Sequence, residues 1–443
     1  MPPLVAQGTP HGALQTRLED LELPPLVTRD APAVFTVCGG GNSAHVLAAV
    51  LGSVPGWEVR LWDVLGHEVA LFRERLARND HTITVRYAGG ATPPTRGRVA
   101  RVSADASDVL PGADVVILAV PAFAHATYLD GVSSYVRGHP VHLGCMVAEG
   151  GFDFAAQRAL RGTVAGSVFS FDTLPWACRV VSFGEEAEVL GTKASLDLSV
   201  FPSSGAPALR DMVRGMLAPR PGPRSPDVRL STFLSATLMN INGVLHPCLS
   251  YGRYAPDKPG GWDQETPFDR PPLFYGGADE FAAAVVSAVS DEVLEVRARA
   301  EAALGAELPD VVHVHDWFLR SYPRDIGDPS SLLSCMLTND AYRGLTHPTV
   351  AAPGGGYLPD FGARYFTEDI PFGLCVQRGV AEILGVPTPH ADRVLRWAQG
   401  RMGKEYLDEA GRMAGRDLAE TRAPQAFGIR SVAQLAEHVP RGH

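Results

Sequence analysis

Six residues of strand character, Ala33–Cys38 (AVFTVC), run without a break into Gly39-Gly40-Gly41-Asn42-Ser43-Ala44, and these open a small-residue helical pattern, VLAAVLGSV. No other stretch restricts the fold so tightly. Gly39-x-Gly41-x-x-Ala44 has the spacing of a dinucleotide-binding turn. The first glycine permits the sharp bend, the second lets a pyrophosphate approach the backbone, and the small third residue lets helix and strand pack closely. With 46 glycines in the chain, such a triplet alone is weak. Its setting supplies the specificity. A second strand, Trp57–Trp62 (WEVRLW), ends on Asp63, 19 residues past Ala44. A carboxylate there accepts from the ribose hydroxyls and repels a 2′-phosphate. NAD is therefore the expected cofactor and NADP the disfavoured one.

The pattern continues as alternating strands and helices. A hairpin is predicted from ITVRYAGG through the turn residues ATPPTRG to RVARVSA. The apolar run 114–120 (DVVILAV) reads as a strand covered on both faces, and it stops at Pro121. Segments 140–147 and 163–170 read as further strands. This alternation predicts an α/β fold with an N-terminal doubly wound sheet of the Rossmann type. After residue 205 the texture changes. A Pro- and Arg-rich loop at 217–227 precedes helical patterns at 231–251, 279–304, 311–322 and 371–384. The expected organisation is an N-terminal extension (1–30), a nucleotide-binding domain (31–205) and an all-helical substrate domain (206–443).

Composition narrows the function classes. The chain has 443 residues, 45% hydrophobic and 20% charged, with a formal net charge of −10. That apolar content supports sizeable cores, and the acidic balance disfavours general nucleic-acid or anionic-membrane binding. No apolar run reaches the roughly 18–20 residues needed to span a bilayer. The first thirty residues lack the pattern of a secretory signal. The six cysteines are scattered and form no CxxC pair, so neither a metal site nor a disulfide framework is expected. A cytoplasmic setting follows as the expectation.

Eight motifs then occur in order: GGGNSAH, VPAFAHATYL, SFDTLPWACR, EVLGTK, VLHPCLSYGR, PPLFYGG, LTNDAYRGLTHP and DFGARYFTEDIPFG. Together they resemble the opine dehydrogenase family of the octopine dehydrogenase type, from about residue 33 to about residue 423. The resemblance implies a Rossmann domain and a helical domain closing over a cleft. It also implies an enzyme that joins a 2-oxo acid, usually pyruvate, to the amine of an amino acid and reduces the imine with NADH. Small-molecule substrates are the expected partners, and a monomer or homodimer the expected assembly. Near the expected pocket, Asn240 and Asn242 and also Ala155 and Ala156 depart from the octopine enzyme's pattern, which leaves the amine donor open.

Imine reduction needs a group that manages protons near neutral pH, a holder for carboxylates and exclusion of water. His246 sits in an apolar helical run (LMNINGVLHPCL), where a packed core histidine is the alternative; the resemblance implies the active role. Asp369 in RYFTEDIP is the implied partner that orients the imidazole, with Glu368 beside it. Arg364 is the implied substrate-contacting arginine, its fork suited to a carboxylate. His125 follows the strand that stops at Pro121 and is a second candidate carboxylate contact. Asn242, one turn before His246, is a substrate- or water-orienting candidate. Trp317 resembles an aromatic of the amino-acid pocket. Gly39, Gly41, Asn42, Ala44, Asp63 and Pro121 form the expected cofactor set, and no metal ligands are expected.

Three rival readings are weighed against this one. Hydroxy-acid and polyol-phosphate dehydrogenases normally present a catalytic lysine, and residues 231–251 contain none. An opine-type metallophore synthase would share the chemistry but take a bulky amine donor. A non-catalytic NAD-binding sensor would have no use for His246, Arg364 and Asp369 together.

Overall fold

The computed structural model describes residues 26–28, 31–135, 141–160, 166–218, 225–258, 262–263 and 265–438. The expected N-terminal extension therefore lies outside the described residues except for 26–28. The strands run in chain order as β1 (Ala33–Cys38), β2 (Trp57–Trp62), β3 (Thr82–Tyr87), β4 (Thr95–Arg98), β5 (Arg101–Ser103), β6 (Val115–Leu118) and β7 (His142–Cys145). They continue as β8 (Val168–Phe171), β9 (Trp176–Ser182), β10 (Glu186–Thr192), β11 (Ser195–Phe201) and β12 (Asp227–Ser231).

Eight of these form one sheet in the order β12-β11-β8-β7-β6-β1-β2-β5. From β5 to β8 every pairing is parallel, which is the doubly wound arrangement with its switch point between β1 and β6. The strands β6, β7 and β8 are buried along their whole length because helices cover both faces.

The predicted hairpin is present as β3 and β4, but the chain then leaves it. Strand β5 pairs parallel with β2 in the main sheet instead. The hairpin joins β9 and β10 in a second sheet, ordered β4-β3-β10-β9. The helix Asn42–Gly52 is enclosed between the two sheets, with every residue from Ala44 to Leu51 buried. That explains its small, apolar sequence: a helix hydrophobic all round is a buried one.

The division read at residue 205 falls inside this layer. The helix Ala206–Met216 packs its apolar stripe into the core of the sheet domain. Strand β12 pairs parallel with β11 through five registered residues. The helical domain thus begins at Phe233, after β12. A crossover returning a short strand to a sheet edge leaves no local signal, which is why the Pro-rich loop before it reads as the boundary.

Beyond that point helices dominate: Phe233–Leu238, Ile241–Tyr254, Glu280–Leu304, Val314–Ser321, Cys375–Leu384 and Pro389–Met402 share one hydrophobic core. Among the described residues no helix is long and apolar enough to cross a membrane.

Candidate active site

The Gly-rich turn meets the carboxyl edge of β6. Gly39 has φ +105°, a conformation side chains rarely adopt, and a Cβ there would overlap Val120 Cγ1. Gly41 is exposed, and a Cβ there would find nothing within 4 Å. It precedes the helix Asn42–Gly52, whose N-terminus has no side-chain cap. With no side-chain cap, the N–H groups of its first turn are available to an anion, the usual provision for a phosphate.

The side chain of Asn42 is committed elsewhere: its Oδ1 accepts from Val180 N at 2.8 Å. His45, one turn on, is fully buried; its Nδ1–H donates to Gly41 O (3.0 Å) and its Nε2 accepts from Gly184 N (2.8 Å). Burial holds it neutral, with its pKa pushed down to about 4. The β9–β10 hairpin therefore grips the glycine turn from below. The Nδ2 amide and the backbone of Asn42 are left for a ligand.

Asp63 is buried at the end of β2, where its Oδ1 accepts from Leu65 N at 2.8 Å. Its other oxygen and Glu68 Oε2 close on Gly40, where a Cβ would meet them at 2.6 and 2.5 Å. Partial burial, together with the hydrogen bond and charge of Asp63, raises the Glu68 carboxyl above its usual range. Glu68 is a second acid beside Asp63 that the sequence analysis missed. Glycine turn, uncapped helix end and paired acids together fit NAD and oppose a 2′-phosphate.

The imidazole–carboxylate pair comes from the helical domain. His246 Nδ1–H donates to Asp369 Oδ2 at 2.6 Å, and both residues are buried. Two local features bring them together. The chain at Ile370–Leu374 makes a π-helical turn, with Leu374 N donating to Asp369 O (3.0 Å), and such a turn re-aims the residues at its start. The helix Ile241–Tyr254 lies directly on that turn, because Gly243 meets Gly373 backbone to backbone. A Cβ on Gly243 would stand 2.8 Å from Gly373 Cα.

Tyr365 stacks on the imidazole (centroids 3.8 Å apart, 13° between planes) and Phe274 meets its edge at 5.4 Å. From Phe274 a run of ring contacts leads through Tyr275, Tyr342 and Tyr322 to Trp317. Trp317 thus stands at the far end of an aromatic wall that starts at His246. Tyr365 and Phe274 lie within the motifs DFGARYFTEDIPFG and PPLFYGG, but nothing local to those motifs assigns either ring to the imidazole.

Glu368 and Asp369 are separated cleanly. Glu368 Oε1 accepts from Ala122 N (2.8 Å), across the domain boundary and beside Pro121, while Oε2 pairs with Arg364. Arg364 is two-thirds exposed, so part of its fork remains open. Asn242 is exposed in the first helical turn, with no side-chain hydrogen bond among the described residues. Its neighbour Asn240 is the engaged amide. It caps the helix by accepting from Gly243 N, and its Nδ2 donates to Glu149 Oε2 (2.5 Å) and Phe372 O (3.1 Å).

The expectation for His125 does not hold. It is buried, Nε2–H donates to Val120 O (3.1 Å), and Nδ1 accepts from Arg422 (3.2 Å). Burial and the Arg422 charge push its pKa down to about 3. With both nitrogens engaged and no positive charge, it cannot hold a carboxylate. A position seven residues past the end of β6 does not reveal that the C-terminal segment folds back over it.

Glu149, in the left-handed region at φ +49°, has its carboxyl pushed up to about 8 by burial and by the nearby charges of Asp369 and Glu368. Asp153 is buried in the first turn of Phe152–Ala159. Between its unfolded value near 4.5 and about 8, Glu149 keeps a proton in the native state that the unfolded chain has lost, so rising pH favours unfolding. Glu149→Gln is expected to remove this fall. It should match the wild type below about pH 4.5 and exceed its Tm by on the order of 5 °C at pH 9, read by thermal scans across pH.

Among the described residues no group of three His, Cys, Asp or Glu is placed to hold a metal ion. A doubly wound sheet with a nucleotide turn, faced by a buried imidazole–carboxylate pair from a helical unit, defines a two-domain dinucleotide-dependent dehydrogenase.

Residues 229–402 match the family model described as NAD/NADP octopine/nopaline dehydrogenase, alpha-helical domain. The chain is 40% identical over 411 residues to a tauropine dehydrogenase of Arabella iricolor, covering 91% of this chain and 99% of that protein. It is 38% identical to an octopine dehydrogenase of Mizuhopecten yessoensis, covering 89% and 96%. An octopine dehydrogenase structure with NADH and L-arginine superposes with a TM-score of 0.80 at 36% identity, covering 93% and 99%. The chain belongs to the opine dehydrogenase family, NAD(P)-dependent oxidoreductases acting on a CH–NH bond.

Proposed function

We propose that this chain joins a 2-oxo acid, pyruvate or a relative, to the amine of an amino acid and reduces the resulting imine. The observation that carries this reading is the 2.6 Å His246–Asp369 bond, one residue from the contact of Glu368 with Ala122 at the nucleotide edge. Structures of relatives at 35% identity, described with NADH and agmatine and with NADH and pyruvate, support the substrate classes.

NADH, when bound, supplies the reducing equivalent. The residues of the chain do the rest. Because Nδ1 keeps its proton in the hydrogen bond to Asp369, Nε2 of His246 carries the lone pair. It can take a proton from the incoming ammonium and return one as the carbinolamine loses water. The carboxylate stabilises the imidazolium formed in between. Tyr365 and Phe274 cover the ring and keep water from the imine. The open part of the Arg364 fork is suited to an anionic group of a ligand. Holding the reactants in one cleft replaces encounters with proximity.

An NADH-consumption screen of pyruvate against arginine, alanine, glycine, β-alanine and taurine, with mass detection of the secondary amine, tests the reading. NADH loss that needs both an oxo acid and an amine supports it. No such dependence with any pair overturns it. Asp63→Ala is expected to weaken NADH binding by roughly 10–100-fold, about 1.4–2.8 kcal/mol, with a smaller effect on NADPH; titration by nucleotide fluorescence checks this.

A further inference from the structure

We infer that Arg422 is a positioning residue for this reaction, holding together the three turns that carry the site; the inference rests on the opine dehydrogenase reading. It lies in the C-terminal segment TRAPQAFG, beyond the matched helical-domain residues, and is only 4% exposed.

Its contacts run in three directions. Nη1 donates to His125 Nδ1 (3.2 Å) and to Ala148 O (3.0 Å), and the guanidinium lies over the Phe372 ring, 4.7 Å from its centroid. The backbone N–H of Arg422 donates to Pro371 O at 3.1 Å.

Each turn it touches carries a group of the site. His125 anchors Val120 and so the turn that presents Ala122 N to Glu368. Ala148 precedes Glu149. Pro371 and Phe372 belong to the π-helical turn that starts after Asp369. The turns are also stitched to one another, since Phe372 O accepts from Gly150 N (2.7 Å) and from Asn240 Nδ2. One planar cation thus ties the nucleotide edge, the Glu149 turn and the Asp369 turn into a single arrangement.

Stability alone does not call for a charge here. Burying a guanidinium carries a heavy desolvation cost, and replacing buried ionic groups by packed hydrophobic residues is often neutral or stabilising. Among the described residues Nε and Nη2 find no partner, and neither does Asp153 Oδ1, so the buried charge carries an uncompensated desolvation cost. Glu149, Glu368 and Asp153 place carboxyl groups around it, of which burial keeps Glu149 protonated up to about pH 8, and burial pulls the pKa of Arg422 itself down to about 10. Lysine keeps the charge but cannot reach several turns from one rigid plane or stack on Phe372 in the same way.

The test measures Arg422→Lys and Arg422→Ala against the wild type, with pyruvate, NADH and the amine that the wild type turns over fastest. Arg422→Lys should fold with a Tm close to wild type, lose about 10–100-fold in kcat, and keep the KM for pyruvate and the NADH Kd within about threefold. Arg422→Ala should be slower still. Tens of millimolar guanidinium chloride should restore its turnover about fivefold or more over the same concentration of sodium chloride.

Turnover of Arg422→Lys within about threefold of wild type overturns the inference. So does a loss of turnover that only tracks a loss of folded protein, or a folded Arg422→Ala that does not respond to guanidinium. Should Arg422→Ala fail to fold, the kcat of Arg422→Lys decides. A wild-type protein without opine-forming activity refutes the function itself, whereas an active wild type with an equally active lysine variant refutes only the role of Arg422.

Discussion

Replacing His246 by Asn is expected to lower kcat by roughly 10²–10⁴-fold, the range for loss of a positioned acid–base group. The amide side chain is close to imidazole in size and can still bond Asp369, so the helix Ile241–Tyr254 should keep its seat on the π-helical turn. What is lost is the lone pair that takes a proton and gives it back. In the proposed reading NADH is held by the glycine turn and Asp63 of the sheet domain and not by His246, so its affinity should stay within about threefold. Steady-state kinetics and nucleotide fluorescence on one preparation separate the two. Undiminished turnover in this variant removes the imidazole from the chemistry.

Asp369→Asn should be nearly as damaging, again on the order of 10²–10⁴-fold in kcat, although it alters one atom. The carboxylate accepts from Nδ1–H at 2.6 Å in a buried site. An amide facing the same nitrogen donates through its own N–H, which favours the tautomer protonated at Nε2 and consumes the lone pair that the reaction needs. Asp369→Ala leaves the ring free to choose, so it should retain more activity than Asn. That ordering distinguishes a tautomer-setting carboxylate from a merely structural one. If alanine and asparagine are equally harmless, Asp369 has no part in proton handling. Thermal unfolding of both variants identifies any share of the loss that is due to misfolding.

Much of the nucleotide side could be read before folding. The glycine turn, the strands Ala33–Cys38 and Trp57–Trp62 and the acid at 63 are consecutive or nearly so, and their chemistry depends on local backbone form. The long helix Glu280–Leu304 was equally plain from its apolar periodicity, ending on a left-handed Gly305. Strands β9 to β12 were not legible as a set, because partners far away in the chain decide whether such short segments become sheet. The same is true of Asn240, whose two acceptors are separated from it by 91 and 132 residues.

His125 shows the limit from the other direction. Its place after a parallel strand is where ligands of such sheets bind, yet an arginine 297 residues later takes one nitrogen and a carbonyl takes the other. Arg364 and Glu368 form a pair within one helical turn, but only the fold reveals that Glu368 also holds the backbone of the opposite domain.

By itself the amino-acid order determined the sheet type, the nucleotide turn, the preference for an unphosphorylated ribose and the residue types available for proton transfer. Those properties come from backbone torsions and side-chain chemistry over a few neighbouring positions. Tertiary structure decided which carboxylate faces the imidazole, which histidine is silenced and which rings seal the cleft. Those outcomes depend on distances and desolvation between groups from 28 to 297 residues apart, and the chain sets them only by closing on itself.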